Sequence, residues 1–243
     1  MAAHPESTFQ TGCLVCGAEL TYTESSSPDR CALCTDVRET NVRCTHGHFV
    51  CDGCHALSAL DLIERVCAET TCADPIALAR QLMRQPALKL HGPEHHYLVP
   101  AVLLACATRA VGGDTAELRA RLAEARRRAE KVPGGACGLH GSCGAAVGVG
   151  IFASVLMGAT PLSREEWGLS NLLTAGALSA IAALGGPRCC KRCTTVALIQ
   201  ARDMAQDTLG IQLPSNTDPL CEWYERNRQC LLEECPFYPA ERE

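Results

Sequence analysis

Residues 133–144 read PGGACGLHGSCG and residues 185–191 read GGPRCCK, and these two glycine-rich turns decide the fold. They bracket the most apolar parts of the chain, residues 144–159 and 172–184, which are built largely from small residues. Glycine lowers helix stability, so we expect the two apolar helices to pack tightly against other elements. The sequence therefore predicts small-residue core helices and two turns that meet in space.

The same turns carry thiols and cations. Arg188 and Lys191 flank two adjacent cysteines, and nearby cations favour thiolate ligands. These cations, with His140 of the first turn, would also bind a small anionic substrate. We predict that an iron–sulfur cluster or a related soft metal centre is held here by Cys137, Cys143, Cys189 and Cys190.

The composition limits the class of protein. The 243 residues include 18 cysteines, and residues 1–10 do not resemble a signal peptide. Cys-x-x-Cys pairs without an export signal are typical of metal ligands in a reducing compartment, so we expect a cytoplasmic protein. A net charge of −5 argues against nucleic acid as a partner. The apolar segments are shorter than the ~20 residues of a membrane span, so we expect no membrane association.

Residues 11–54 carry four pairs of potential zinc ligands. A structural zinc takes four nitrogen or sulfur ligands, and a Cys-x-x-Cys turn supplies two of them. Four pairs therefore predict two structural zinc ions, with His46 as an alternative to His48. The predicted ligands are Cys13, Cys16, Cys31, Cys34, Cys44, His48, Cys51 and Cys54.

The four pairs can be combined in two ways. In a serial arrangement, the first two pairs bind one zinc and the last two bind the other. In a cross-braced arrangement, the first and third pairs share one zinc and the second and fourth share the other. The last pair leads into a helical pattern near residues 59–67, as in zinc-ribbon and treble-clef modules. We slightly favour the cross-braced arrangement, whose spacing this segment resembles.

A histidine-rich segment precedes another apolar helix. Residues 91–97 read HGPEHHY and lead into an apolar run at residues 98–107. Such polar groups are consistent with helix capping, but histidine and glutamate are also the usual proton-transfer groups. On the second interpretation Glu94, His95 and His96 are candidate catalytic residues, on a wall opposite the glycine-rich turns.

Helical periodicity elsewhere predicts a mainly α protein. An arginine-rich pattern after Asp114 predicts an amphipathic helix, whose charged face is more typical of a solvated surface than of a partner interface. We expect a disordered tail at 1–10 and a zinc-binding module ending in a helix at 11–66. A helical core domain with the cluster pocket follows at 67–213. A cysteine-containing segment at 214–243 is expected to pack on this core domain.

The C-terminal segment adds three cysteines with irregular spacing. A predicted short helix at residues 223–232 joins Cys221, Cys230 and Cys235, and Cys235 precedes a proline, as in some cluster-binding runs. These thiols form either a second metal centre or part of the central one.

Four motifs span much of the chain after residue 90. They are HGPEHH at 91–96, VPGGxCG at 132–138, CGA at 143–145 and GGPRCCKR at 185–192. Together they resemble an uncharacterised prokaryotic domain family of unknown function. That domain also occurs fused to radical-SAM or methyltransferase-type proteins, so the resemblance implies such a protein as a partner.

A second, more distant similarity concerns the starts of several helices. It is carried by Gly92-Pro93, residues 98–104, Ser142-Cys143-Gly144 and Gly186-Pro187-Arg188-Cys189. These segments are similar to helix starts in the α-chain of iron–sulfur L-serine dehydratases and in cysteine desulfidases. Those enzymes are all-helical, hold a [4Fe–4S] cluster by three cysteines, and use the open iron as a Lewis acid in a non-redox elimination. Their third cysteine has no equivalent near Leu178, so Cys137, Cys190, Cys193 or a tail cysteine would replace it.

Two functions of different classes follow. The first is a [4Fe–4S] enzyme that eliminates a group or removes sulfur from a small anionic substrate, with a zinc module as structural support. The second is a non-enzymatic zinc-binding adaptor, or a metal- or sulfur-delivery protein, that works with a radical-SAM or methyltransferase enzyme.

Overall fold

The fold is mainly helical, which confirms the predicted class. The computed structural model describes residues 13, 15, 18–55, 57–214 and 216–239. The predicted tail at 1–10 and the predicted ligand Cys16 lie outside these residues.

A two-stranded antiparallel sheet precedes the helices in the described part of the chain. None of these helices has both the length and the apolar character needed to cross a membrane. The strands are β1 (Leu20–Arg30) and β2 (Val37–Cys44), and the helices are α1 (Asp52–His55), α2 (Ala59–Glu69), α3 (Pro75–Met83), α4 (Glu94–Ala110), α5 (Thr115–Ala129), α6 (Ala136–Leu139), α7 (Gly144–Met157), α8 (Glu165–Ala183) and α9 (Cys190–Leu209).

Helix α4 forms the centre of the helical bundle. It contacts α2, α3, α5, α7 and α9, and every residue from Tyr97 to Ala107 is buried. Pro100 lies inside this helix, so the carbonyl of His96 loses its usual amide partner. The backbone of α7 passes beside that carbonyl at Gly148, where an added Cβ would lie 3.1 Å from the oxygen. Pro100 therefore lies at the point where the glycine-rich helix α7 packs closely on α4.

The glycines of α7 allow its backbone to pack directly against α4 on one side and α8 on the other, in agreement with the tight packing that the sequence predicts. A Cβ on Gly148 would lie 2.9 Å from Cδ of Pro100 on α4. A Cβ on Gly150 would overlap Oγ1 of Thr174 and lie 3.2 Å from the carbonyl oxygen of Ser170, both on α8. Dense packing of this kind offsets the entropic cost of glycine in a helix.

The β1–β2 hairpin positions cysteines of the second and third ligand pairs. Its register pairs Leu20 with Cys44 and Arg30 with Val37, with an irregularity between Tyr22 and Ser27. Cys31 follows β1 directly and makes an isolated bridge with Phe49. The end of β1 therefore leads into the turn that carries Cys31, and the end of β2 carries Cys44.

Charged and apolar contacts join the N-terminal module to the bundle. Arg126 of α5 lies 2.8 Å from carboxylate oxygens of both Asp61 and Glu64 on α2, and Arg119 pairs with Glu69. The apolar face of α2 enters the same core as α4. Arg119 and Arg126 of α5 therefore form ion pairs with α2, while other residues of α5 stay exposed.

The C-terminal segment wraps back over α3 and the start of α9. The carboxylate of Asp74, which caps α3, accepts hydrogen bonds from Asn216 N at 2.9 Å and Thr217 Oγ1 at 2.8 Å. Two short 3-10 turns, Tyr224–Arg226 and Leu232–Glu234, stand where the sequence predicts a helix at 223–232. The segment is held by contacts with the bundle rather than by its own helical bonds.

Replacing Gly150 with alanine should destabilise the fold. The new methyl group meets Thr174 and the α8 backbone, so we expect Gly150→Ala to lower the free energy of unfolding by about 1–3 kcal/mol. Gly168→Ala is the matched control, because nothing lies within 4 Å of an added Cβ there. The control should raise stability by about 0.5–1 kcal/mol. Denaturant unfolding measures both, and equal stability of the two variants would contradict the packing.

Candidate functional site

Four thiols of the second and fourth ligand pairs form one tight group. The ligand atoms of Cys31, Cys34, Cys51 and Cys54 all lie within 4.8 Å of one another. The sulfurs of Cys31 and Cys54 are 3.9 Å apart, and those of Cys34 and Cys51 are 3.8 Å apart. Zinc–sulfur bonds of about 2.3 Å in a tetrahedron place ligand sulfurs about 3.8 Å apart. The group therefore fits a tetrahedral metal ion.

The described members of the first and third pairs form a second group. Cys13, Cys44 and His48 each offer a ligand atom within 4.8 Å of the others. His48 Nδ1 lies 3.5 Å from the sulfur of Cys44. His48 belongs to this group and His46 does not. The two groups thus follow the cross-braced order, in which alternate pairs combine.

Backbone amides converge on several of these sulfurs. Burial alone would raise the pKa of Cys44, but amides of His48 and His46 donate to its sulfur and the pKa falls to about 6. The amide of Val15 donates to the sulfur of Cys13 at 3.3 Å, and that of Leu33 to the sulfur of Cys31 at 3.5 Å. Such donors stabilise the thiolate form, which is the form that binds metal.

The two glycine-rich turns meet at an open pocket of about 630 Å³. Gly135, Gly138 and Gly141 of the first turn and Gly185 and Gly186 of the second all line it. Three thiols and two cations share the lining, namely Cys137, Cys143, Cys193, Arg188 and Arg192. The expectation that these turns come together in space agrees with the structure.

Cys143 and Cys193 form a hydrogen-bonded pair in this pocket. The thiol of Cys193 donates to the sulfur of Cys143 and lowers its pKa, while burial opposes the shift. Amides of Ala145 and Ala146, at the start of α7, lower the pKa of Cys143 further. The partner's own pKa is raised by the same contact. Cys143 is therefore the thiolate of the pair.

The other two predicted cluster ligands face elsewhere. Cys189, which caps α9, lines a separate enclosed cavity together with cysteines of the C-terminal segment. Burial raises the pKa of Cys190, and a hydrogen bond from the Gly92 backbone opposes that shift. Of the four predicted ligands, only Cys137 and Cys143 line the pocket, with Cys193 as the third thiol.

The predicted substrate-binding residues are divided between two environments. Arg188 is exposed and lines the pocket, and His140 is exposed between two pocket-lining glycines. Lys191 is only 2% exposed and its Nζ donates to the carbonyls of Met83 at 3.0 Å and Leu88 at 3.3 Å. The ammonium of Lys191 is thus held away from the pocket.

The predicted catalytic residues lie at the start of α4 and do not line the pocket. Glu94 Oε1 accepts from Lys89 N at 2.8 Å. His95 Nε2 lies 3.2 Å from the carbonyl of Lys89, and its Nδ1 lies 2.9 Å from Oγ1 of Thr194. A carbonyl only accepts, so Nε2 carries the proton and Nδ1 accepts from the hydroxyl.

These contacts fix the charge and orientation of the histidines. Complete burial, and then the nearby charge of Lys191, lower the pKa of His95 to about 3, so it stays neutral at neutral pH. Nδ1 of His96 donates to the carbonyl of Val132 at 3.1 Å, and burial lowers its pKa too. The His96 ring packs on Gly144, where a Cβ would overlap it. Through His96, the start of α4 therefore contacts Val132, just before the first glycine-rich turn, and Gly144 at the start of α7.

Residues 63–238 match a protein-family model, from the middle of α2 to Tyr238 in the C-terminal segment. The chain belongs to the DUF5714 family of unknown function. No curated protein and no solved structure matches the chain.

The DUF5714 match includes one kind of cysteine group and excludes the other. It contains the glycine-rich turns, the pocket and the cysteines of the C-terminal segment. The tight groups of the N-terminal module, at residues 13–54, lie before its start. From the sequence, Cys193 is only one of several possible substitutes for the third ligand, and the irregularly spaced tail cysteines form either a second metal centre or part of the central one.

Removing the Cys193 thiol should make Cys143 less reactive at neutral pH. In metal-free protein, Cys193→Ala removes the donor that lowers the pKa of Cys143, so the thiolate fraction at a given pH falls. We expect the alkylation profile of Cys143 to move to higher pH, as measured by mass spectrometry of iodoacetamide-treated protein. Cys72→Ala, outside the pocket, should leave the profile unchanged. An unaltered profile in Cys193→Ala would contradict the hydrogen-bonded pair.

Proposed function

We propose that the helical domain is an iron–sulfur enzyme that catalyses a non-redox elimination, including sulfur removal, on a small anionic substrate. The observation that supports this most directly is the shared pocket, where Cys137, Cys143 and Cys193 lie together with Arg188 and Arg192. Soft thiolates beside fixed cations suit both a cluster and an anion.

Three thiols are the number of ligands that the similarity to the L-serine dehydratase α-chain and cysteine desulfidases implies. Cys193 takes the place that the sequence left open, instead of Cys189 or Cys190. When bound, the cluster supplies a Lewis acid at the iron that has no cysteine ligand. The volume of about 630 Å³ leaves room for a small molecule beside the thiols.

The two arginines have different roles in the proposal. Arg192 is 5% exposed and donates to the carbonyls of Gly185 at 2.8 Å and Pro187 at 2.9 Å, so it holds the second turn in shape. Arg188 is exposed in the lining, and its planar guanidinium is free to bind a carboxylate through two parallel hydrogen bonds.

The proton-transfer group that the geometry favours is His140. It is exposed and lies between the pocket-lining Gly138 and Gly141, whereas Glu94 and His95 are buried with internal partners. His140 would take a proton from the carbon next to the substrate carboxylate. The leaving hydroxide or hydrosulfide departs from the adjacent carbon with its bonding pair, and a carbon–carbon double bond forms. Glu94 and His95 then position α4 rather than move protons.

Substituting the pocket thiols should remove the cluster. After anaerobic reconstitution with ferrous iron and sulfide, we expect Cys143→Ser/Cys193→Ser to lose about four irons and four sulfides per chain relative to wild type. The loss should be accompanied by lower absorbance at about 400 nm. Cys72→Ser is the matched control and should keep the wild-type content. Iron content that is the same in both variants would refute the pocket cluster.

We further propose that the two N-terminal groups bind structural zinc. The sulfur spacing of 3.8–3.9 Å in the first group supports a single tetrahedral ion, and the second group supplies three of four ligands. Cys16, the fourth ligand predicted for that group, lies outside the described residues. Metal bound in such modules contributes to folding rather than to chemistry.

Histidine substitutions provide a matched test of the zinc assignment. We expect His48→Ala to lower zinc content from about two to about one per chain, because one ligand of a four-coordinate site is removed. His46→Ala should keep both ions. Elemental analysis of chelator-washed protein measures the difference, and equal loss in the two variants would contradict the assignment of His48.

An exposed apolar surface favours the adaptor as a second candidate function. Leu162, Trp167 and Leu172, on α8 and the loop before it, are 96%, 53% and 51% exposed. Exposed large apolar side chains are found at protein interaction sites. In this case the chain would dock on a radical-SAM or methyltransferase protein, and anaerobically reconstituted protein would contain zinc and no iron.

A further inference from the structure

We propose a second iron–sulfur centre, in the enclosed cavity between the start of α9 and the C-terminal segment. The cavity has an accessible volume of about 30 Å³. Its four thiol ligands come from parts of the chain up to 46 residues apart, and all four line the cavity: Cys189, Cys221, Cys230 and Cys235. This centre is separate from the proposed pocket cluster and does not depend on it.

The turns that carry these thiols have the local geometry of the N-terminal metal-ligand turns. The amide two residues after the cysteine donates to its sulfur at Cys221 and at Cys230, each at 3.4 Å. The same arrangement occurs at Cys13 and at Cys31, at 3.3 and 3.5 Å. A neutral thiol is a weak acceptor, so such aimed amides indicate a position built for thiolate.

The sulfur of Cys189 receives donors from two sides. The amide of Arg192 donates to it at 3.5 Å, and Nδ2 of Asn227 donates at 3.6 Å. Asn227 is itself buried and lies on the C-terminal segment between Cys221 and Cys230. The segment thus brings a donor as well as three thiols to the start of α9.

Buried positive charge next to the cavity calls for a negative group inside it. Lys191 and Arg192 both line the cavity, at 2% and 5% exposure, and neither forms an ion pair with a described residue. Nζ of Lys191 lies 5.1 Å from the ring centroid of Trp223, and Nε of Arg192 has no hydrogen-bond partner among the described residues. Glu94 is the nearby acid that acts on Lys191, while Arg226 adds further positive charge.

An anionic centre resolves this imbalance. Glu94 offsets part of the charge of Lys191, but Arg192 forms no ion pair with a described residue, and neutral thiols supply no negative charge to offset these buried cations. A [4Fe–4S] centre bound by four thiolates carries a net negative charge and lies beside both cations. Because all its irons are bound by cysteine, it leaves no coordination position for a substrate, unlike the centre proposed for the open pocket.

The sulfur spacing favours a cluster over a single zinc ion. In the two N-terminal groups the ligand atoms lie within 4.8 Å of one another, as one small ion requires. The four cavity thiols, all on described residues, do not form such a tight group. A wider set of thiols around an enclosed space suits a cluster of several metal ions.

Metal content in paired variants tests the second centre. We expect Cys221→Ser/Cys230→Ser, reconstituted anaerobically with ferrous iron and sulfide, to lose about four irons and four sulfides per chain. Cys72→Ser is the control and should lose none. Iron content that is unchanged in the double variant would overturn the proposal, as would a third zinc ion in place of iron that disappears in this variant.

The experiment separates this centre from the pocket cluster. If both exist, the two double variants each lose about half of the iron, at about four per centre. If the pocket cluster fails, the tail variant loses all the iron and Cys143→Ser/Cys193→Ser loses none. If the tail centre fails, the reverse holds. Retained N-terminal zinc in each variant shows that the N-terminal module still folds.

A measurement on wild-type protein removes any dependence on the folding of variants. In the reconstituted chain, Cys221 and Cys230 should resist alkylation although both are partly exposed. Removal of iron with an iron chelator under reducing conditions should make them reactive, as followed by mass spectrometry of native protein. Equal labelling before and after iron removal would overturn the proposal.

Discussion

The close approach of α7 to α4 and α8 is the constraint on which the rest of the helical domain depends. Gly148 lies against Pro100 on one side, and Gly150 lies against Thr174 on the other. At the start of the same helix, Gly144 accommodates the ring of His96. Because these contacts leave no space for a side chain, they fix the start of α7 and therefore the position of Cys143.

The start of α9 is the second fixed point, and it divides the chemistry of the domain. Cys189 faces the enclosed cavity, whereas Cys193, one turn later, faces the open pocket. Arg192 lines both spaces and ties down the second glycine-rich turn. The start of α9 thus contributes one thiol to the cavity and one to the pocket. The buried cations Lys191 and Arg192 at this helix start favour the thiolate form of both cysteines.

The N-terminal module depends on the bundle as well as on metal. Its described sheet has two strands, and two strands alone are marginally stable in water. The apolar face of α2 enters the common core, and Arg126 of α5 holds Asp61 and Glu64 on its charged side. These partly exposed ion pairs contribute little energy each, so apolar burial carries most of the attachment.

The sequence alone predicted the mainly helical class, the pairs of potential metal ligands, the tight packing of the glycine-rich helices and the meeting of their turns. Those features follow from local spacing and periodicity, which backbone geometry translates directly into structure. It did not predict the β1–β2 hairpin, and the tail helix expected at 223–232 is replaced by short turns. Only the tertiary structure decided which thiols share a space, since Cys189 and Cys221 are brought together by packing of distant segments. It also decided that Lys191 and His95 are buried, because burial depends on the neighbours that a folded chain supplies.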